Sequence, residues 1–211
     1  MDTKEAYNIW AKNYDIDNNK TRDLEAIALR TILSKIHFNN CLEIGSGTGK
    51  NTEWLINKVK QITCLDLSEE MIAIAKEKIK SDKVKFKRAD INQNWDFKNE
   101  KFDLVTFSLV LEHIENLDKI FKEVSKVIID DGYVYIGELH PFKQYSGSKA
   151  RFETEKGLQI LNCFTHNISD FLKAARDNGF EITDMNEYFD NDDRTIIPRI
   201  LTILFKRKNS Y

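Results

Sequence analysis

One stretch constrains the fold of this chain more than any other: Cys41-Leu42-Glu43-Ile44-Gly45-Ser46-Gly47-Thr48-Gly49. A short apolar run carrying an acid gives way to three glycines at alternate positions. An amphipathic run from Lys50 to Val59 follows directly. This pattern predicts a buried strand, a tight glycine turn and a helix N-terminus. Glycine has no Cβ and accepts positive φ, so such a turn brings bare backbone close to a ligand. The helix start adds unpaired N–H groups and a partial positive charge at the same place.

Strands and helices alternate on both sides of this turn. Thr3 to Asn13 predicts a helix with Tyr7, Trp10 and Tyr14 near one face, and Thr21 to Ile36 a second. The apolar face of the second is read as Leu24, Ile27, Ala28, Thr31, Ile32 and Ile36. Strands are expected at Asn40–Ile44, Ile62–Asp66, Val84–Arg88, Phe102–Phe107 and Tyr133–Glu138. Helices are expected from Ser68, a candidate N-cap, to about Lys80, and over Leu117–Ile129. His140 to His166 has no clear periodicity. A last helix, Asn167–Asn178, precedes two strands, Phe180–Tyr188 and Thr195–Lys206, with Pro198 confined to a strand start or edge. Alternation of this kind implies an α/β fold with parallel strands and right-handed crossovers. The 211 residues suit one domain, 1–211, with N-terminal helices over 1–36.

In a parallel α/β sheet, ligands bind outside the carboxyl ends of the strands. Four consecutive strand ends carry Glu43-Ile44-Gly45, Asp66-Leu67, Asp90-Ile91 and Ser108-Leu109, and all converge on one crevice. Asp66 lies about twenty residues past the glycine turn, where an acid accepts ribose hydroxyls. Asp90 is a candidate for an adenine amino group, with Ile91 bordering the ring. Met71 is a candidate for the adenine face or for the core. The dinucleotide fingerprint G-x-G-x-x-G fails, because Lys50 stands at its third glycine. The P-loop pattern fails too, because Asn51 follows Lys50 and Ile44 replaces its first glycine.

The motif E-x-G-x-G-x-G, followed in order by Asp66, Asp90 and Phe102-Asp103-Leu104-Val105 with Leu111-Glu112-His113-Ile114, resembles the class I S-adenosylmethionine (SAM) dependent methyltransferases. The resemblance covers most of the chain and points to the small-molecule branch with a methyltransferase-11/25-like domain. It implies a Rossmann-like three-layer sandwich around a mostly parallel seven-stranded sheet, order 3-2-1-4-5-7-6, with the last strand antiparallel. It also implies SAM as cofactor and S-adenosylhomocysteine (SAH) as product. The loop carrying Glu43, Gly45, Ser46, Gly47, Thr48 and Gly49 would lie beside the methionine and ribose parts of SAM. Asp66 with Leu67 would hold the ribose, and Met71, Asp90 and Ile91 the adenine. Ser108 and His113 would border the cofactor, His113 also as a structural hydrogen-bonding residue. Tyr14, with Trp10, would close over it from the N-terminal helix. An Asn-Pro-Pro-Tyr type motif, used by many nucleic-acid and protein amide N-methylating branches, is absent; Ser108-Leu109-Val110-Leu111 stands there.

The implied reaction moves the methyl group to an O, N or C atom by in-line displacement, for which alignment supplies most of the acceleration. A base is needed only where the acceptor loses a proton. His140, His166 and Glu138 are the candidates, with Tyr145 as an orienting hydroxyl. Each histidine also has a purely structural reading. Residues 139–166 are read as a substrate cap, with Phe142, Tyr145, Phe152 and Phe164 as walls and Lys143 and Arg151 steering an acidic group. Alternative readings are an RNA- or protein-modifying methyltransferase, or a SAM-binding regulatory protein without catalysis.

Composition narrows the partners. Net charge is −2 with acids and bases interleaved, so no basic stripe for nucleic acid is expected. No apolar run reaches the roughly 20 residues of a membrane span, and the N-terminus lacks a signal-peptide core, so a cytoplasmic protein without membrane contact is expected. Three widely spaced cysteines read as core residues, and no His/Cys cluster points to a metal. The expected partner is a small-molecule acceptor, the chain being a monomer or homodimer.

Overall fold

A computed structural model describes residues 2–97, 100–154 and 157–209. Two helices, α1 (Thr3–Tyr14) and α2 (Lys20–Leu33), precede β1 (Asn40–Ile44), α3 (Thr52–Leu55), β2 (Gln61–Asp66), α4 (Glu69–Lys78), β3 (Val84–Arg88) and β4 (Phe102–Ser108). Then come α5 (Leu117–Val127), β5 (Ile128–Leu139), α6 (Pro141–Tyr145), β6 (Arg151–Thr154), β7 (Gly157–Ile160), α7 (Ile168–Asp177), β8 (Phe180–Tyr188) and β9 (Ile200–Arg207). The main sheet has seven strands in the order β3-β2-β1-β4-β5-β9-β8. With the separate β6–β7 hairpin set aside, this is the order the resemblance implies. Only β9 runs against its neighbours, antiparallel to both β5 and β8.

Both faces of this sheet are covered, so its central strands are apolar on both sides. Leu42, Ile44, Val105, Phe107, Val134 and Ile136 pack with Phe121 and Val124 of α5 and Phe171 of α7. The alternate residues Cys41, Cys64, Leu104 and Tyr135 face Leu29, Ile32 and Leu33 of α2 and Leu55 of α3. A third cluster joins Ala6 and Trp10 of α1 to Phe152 and Leu161. Among the described residues, no helix is long and apolar enough to cross a membrane.

Local polar bonds account for most departures from the periodicity. The helix expected over Lys50–Val59 keeps one turn, because Asn57 Nδ2 donates to the Glu53 carbonyl that would receive its own N–H. The bonds beyond it tighten to Asn57 N–Trp54 O and Lys58 N–Leu55 O. Helix α2 is rotated from the expected face: Ile27 is 56% exposed, whereas Arg22, Glu25, Ala26 and Leu29 are buried. Arg22 and Glu25 sit there because each finds polar partners inside, which apolar periodicity does not register. Helix α5 stops at Val127 and β5 starts earlier than expected. A register shift against β4 accommodates Asp131, whose φ is 61°. Pro198 falls outside β9, which starts two residues later. The irregular stretch after β5 contains α6 and the β6–β7 hairpin, with residues 155 and 156 outside the described ones.

Candidate active site

Two cavities adjoin above the carboxyl ends of β1, β2 and β4. The narrower cleft, about 220 Å³, is lined by Ile44, Gly45 and Gly47 from the β1 end and by Asp66, Leu67 and Met71 from the β2 end. Asp90 and Ile91 join it after β3, and Ser108, Leu109, Val110 and His113 after β4. Asp2, Thr3, Tyr7 and Tyr14 close it from the N-terminal side. The larger cavity, about 630 Å³, lies between α1, the following loop and the β6–β7 hairpin. Tyr7, Tyr14 and Leu109 line both, so the two meet at these side chains.

The glycine loop is built for close approach. Gly45 and Gly47 have φ of 69° and 53°. A Cβ on Gly47 would meet no atom within 4 Å, so its bare backbone faces open space. A Cβ on Gly45 would run into the Val110 side chain. The Asp66 carboxylate anchors the loop: Oδ2 accepts from Gly47 N at 2.8 Å and Oδ1 from Ser68 N at 2.8 Å. Burial raises its pKa, and these backbone N–H groups oppose the rise. Ser68 Oγ accepts from Met71 N at 3.1 Å, so the expected N-cap is present, and donates to Asn8 of α1.

Four other loop residues support the cleft from behind and do not line it. Glu43 is buried on the α2–α3 face, where its Oε2 accepts from Thr52 Oγ1 at 2.6 Å and from Cys64 Sγ. Burial pushes its pKa to about 7. Thr48 Oγ1 donates to Asp15 at 2.6 Å, tying the loop to the end of α1; Lys78 holds the other Asp15 oxygen at 2.8 Å. Gly49 packs against Ile79 and Ala75, and Ser46 is buried.

Four side chains expected to serve the reaction, His140, His166, Tyr145 and Glu138, stand off both cavities. His140 is fully buried: Nδ1 accepts from Phe142 N and Nε2 bonds Glu187 at 3.0 Å, making it the cap of α6. Desolvation lowers its pKa, against the pull of Glu187. His166 Nε2 bonds the Ile114 carbonyl at 2.7 Å. Tyr145 is 66% exposed and donates to Asn167. Of the expected cap walls only Phe152 lines the larger cavity, stacked on Trp10 at 5.1 Å; Phe142 and Phe164 are exposed. Arg151 lines it and Lys143 does not, while Lys20 and Lys149 add unforeseen positive charge.

Two buried acids, Glu25, which the periodicity passed over, and Glu138, expected as a candidate base, brace the strand ends beside the cleft. Glu25 of α2 accepts from Ser108 Oγ at 2.8 Å, Tyr135 OH at 3.1 Å and Asn51 Nδ2 at 3.1 Å. Gly137 must lack a side chain here, because a Cβ would stand 2.5 Å from both Glu25 Oε1 and the Tyr135 hydroxyl. Glu138 Oε1 accepts from Val110 N at 2.9 Å and Leu111 N at 2.8 Å, while Leu109 N donates to Gly137 O. These bonds hold Leu109 at φ 56°, a left-handed conformation that costs on the order of 1 kcal/mol or more in a leucine. An acid on an apolar helix face is the only signal that pointed to Glu25.

Burial pushes Glu25 to about 7 and Glu138 to about 8, the latter also through the neighbouring Glu112 carboxylate. The folded chain therefore retains protons that the unfolded chain has released. The stability this confers is complete below the ordinary glutamate pKa and is lost as pH rises through the raised values. The urea midpoint should therefore fall between about pH 5 and pH 8. Glu138→Gln mimics the protonated form and should flatten that slope; an unchanged slope would remove Glu138 from the explanation.

The fold and the cleft at its strand ends are those of a Rossmann-like α/β domain. The sequence pattern of a methyltransferase domain matches residues 42–136. An uncharacterized methyltransferase of Emericella nidulans is 24% identical over 249 residues, covering 100% of this chain and 87% of that protein. Demethylmenaquinone methyltransferase of Leptospira interrogans is 30% identical over 141 residues, 61% of this chain and 57% of that enzyme. Among solved structures, the N-methyltransferase NodS of Bradyrhizobium japonicum, in complex with SAH, superposes with a TM-score of 0.74 at 18% identity, covering 99% of this chain and 100% of that one. A SAM-dependent methyltransferase of Clostridium acetobutylicum superposes at 0.69 with 20% identity, covering 97% and 98%. The chain is an enzyme with a methyltransferase domain over residues 42–136, built on the fold of the SAM-dependent methyltransferases.

Proposed function

We propose that the chain transfers the methyl group of SAM to a small-molecule acceptor, with SAM in the narrower cleft and the acceptor in the larger cavity. The observation that carries this reading is the junction of the two cavities at Tyr7, Tyr14 and Leu109. The charged side chains lining the cleft, Asp2, Asp66 and Asp90, are all acidic, which suits a cationic sulfonium and disfavours a pyrophosphate. Gly45 and Gly47 would lie against the amino-acid and ribose parts, Asp66 would accept the ribose hydroxyls, and Asp90 with Ile91 would border the adenine. Leu67 and Met71 supply apolar cover, and Ser108, His113 and Tyr14 close the remaining sides. Bound there, SAM supplies a methyl group already activated by its positive sulfur.

The larger cavity falls within the range of about 300–1,000 Å³ usual for small-molecule sites. Residues 139–166 act in this reading as the cap, through Phe152, Arg151 and Lys149 of the hairpin region. Demethylmenaquinone methyltransferase and a ubiquinone biosynthesis O-methyltransferase of Dechloromonas aromatica, 26% identical over 136 residues, are relatives whose names denote small-molecule acceptors.

Calorimetric titration with SAM, SAH and NADH tests the cofactor half. SAM and SAH should bind with dissociation constants on the order of micromolar, and NADH should not bind. The acceptor half is tested by SAH release with a cell extract split by ultrafiltration. Activity confined to the low-mass fraction supports the reading; activity confined to RNA or protein overturns it.

A further inference from the structure

We propose that Glu112 is the carboxylate that takes the acceptor's N–H or O–H, so that the acceptor is methylated at a nitrogen or oxygen bearing a hydrogen. The inference rests on the two-cavity reading above. Glu112 sits on the single turn Leu111–His113 that follows β4. It is 7% exposed and lines the larger cavity. Its turn neighbour His113 lines the cofactor cleft and bonds the Tyr7 hydroxyl at 2.9 Å, and Tyr7 lines both cavities. Glu112 therefore lines the larger cavity, next in the chain to a residue of the cofactor cleft.

Its Oε2 is buried and has no hydrogen-bond partner among the described residues. The Cys163 thiol, a weak donor beside this carboxyl, donates to the Leu161 carbonyl at 3.7 Å. No described lysine or arginine forms an ion pair with it, although Lys20, Lys149 and Arg151 line the same cavity. Leaving a buried carboxylate oxygen unsatisfied is destabilising, and a donor arriving through the cavity removes that cost.

Of the other carboxylates lining the cavity, Asp17 accepts from Trp10 Nε1 at 2.9 Å and Glu153 is exposed, and the aromatic wall does not supply this recognition. Trp10 has Phe152 stacked at 5.1 Å and Tyr7 at 5.8 Å, and the Arg22 guanidinium lies over the Tyr14 ring. These rings form packed apolar cover and leave no open cage for a cation. Glu138 also has an unpartnered Oε2, but it lines neither cavity, and its other oxygen holds the loop that carries Glu112. The acceptor's heteroatom forms its bond to the methyl carbon, the C–S electron pair stays on sulfur, and the released proton passes to Glu112 Oε2. Sulfonium, neutral hydrogen-bearing acceptor and carboxylate become thioether, neutral methylated acceptor and carboxylic acid, with charge conserved. The acid then returns its proton to water in the open cavity.

Ligand-detected NMR on the SAH-loaded protein tests this without turnover. Phenol is compared with anisole, and benzylamine with benzyl methyl ether. At least one donor-bearing probe should bind about tenfold tighter than its capped partner. Which pair responds distinguishes an oxygen from a nitrogen acceptor. Glu112→Gln should erase the preference while SAH affinity stays unchanged, and Glu112→Asp should recover part of it. No preference in either pair, including no binding, overturns the assignment, as does a preference that survives in Glu112→Gln. If the wild type fails to bind SAH, the methyltransferase reading falls and the inference with it; if SAH binds and the preference is absent, the inference falls alone.

Discussion

Asp66→Ala should weaken SAM and SAH binding by about a hundredfold or more. Each Asp66 oxygen accepts one backbone N–H, from Gly47 and Ser68, at 2.8 Å. A carboxylate oxygen has two lone pairs, so each keeps capacity for a ribose hydroxyl. Hydrogen bonds to a charged partner contribute about 1.5–3 kcal/mol each, and about 1.4 kcal/mol corresponds to tenfold in affinity. The substitution also frees Gly47 N and Ser68 N, so the glycine loop and the start of α4 lose their common anchor. Asparagine should not rescue binding, because its NH2 would face one of the two N–H donors. Calorimetry at neutral pH, with a thermal melt as the folding control, measures the effect. An affinity within about threefold of the wild type would exclude Asp66 from the cofactor site.

Gly45→Ala should destabilise the fold by roughly 3 kcal/mol, whereas Gly47→Ala should cost roughly 1 kcal/mol. Both positions have positive φ, so both pay for a left-handed conformation. They differ in what the new methyl group meets. At Gly45 it collides with Val110, whose N–H is held by the buried Glu138 carboxylate and whose loop has little freedom to retreat. At Gly47 it meets nothing within 4 Å. That open space is the cleft itself, so Gly47→Ala should lose SAM affinity while remaining nearly as stable as the wild type. Urea titration and calorimetry on both variants separate the two costs. Equal stability of Gly45→Ala and wild type would mean that the Val110 wall yields, and that the cleft is not rigid on that side.

The cleft at the strand ends was legible because it is encoded locally. Strand ends write a polar residue directly after an apolar run, as at Asp66 and Ser108, and a parallel sheet brings such ends to one edge. The β1 motif was legible as a loop, but its members separate by strand face. Glu43, one residue before Ile44, points to the α2–α3 side and not into the cleft. Alternation across a strand makes that division unavoidable.

The acceptor half was not legible, because its walls come from segments far apart in the chain. Trp10 of α1 stacks on Phe152 of the hairpin, and Glu112 joins them from the turn after β4. His140 had the right chemistry at the right strand end, yet Phe142 N and Glu187 occupy its ring nitrogens. Glu187 lies on β8, at the far end of the sheet order, and nothing local to His140 announces it.

The sequence by itself determined the alternation of strands and helices and the strand ends that form the cleft; the strand order followed only from the resemblance. Apolar runs, glycine turns and strand-terminal acids act over a few residues, and their spacing survives without tertiary contacts. Only the tertiary structure decided which face of α2 is buried, which acids lie under the cleft, and which side chains the larger cavity exposes. Those outcomes depend on polar partners such as Ser108 for Glu25 and the Val110 and Leu111 N–H groups for Glu138. Burial of a charge is decided by the partner it meets in space, and the chain does not write that partner beside it.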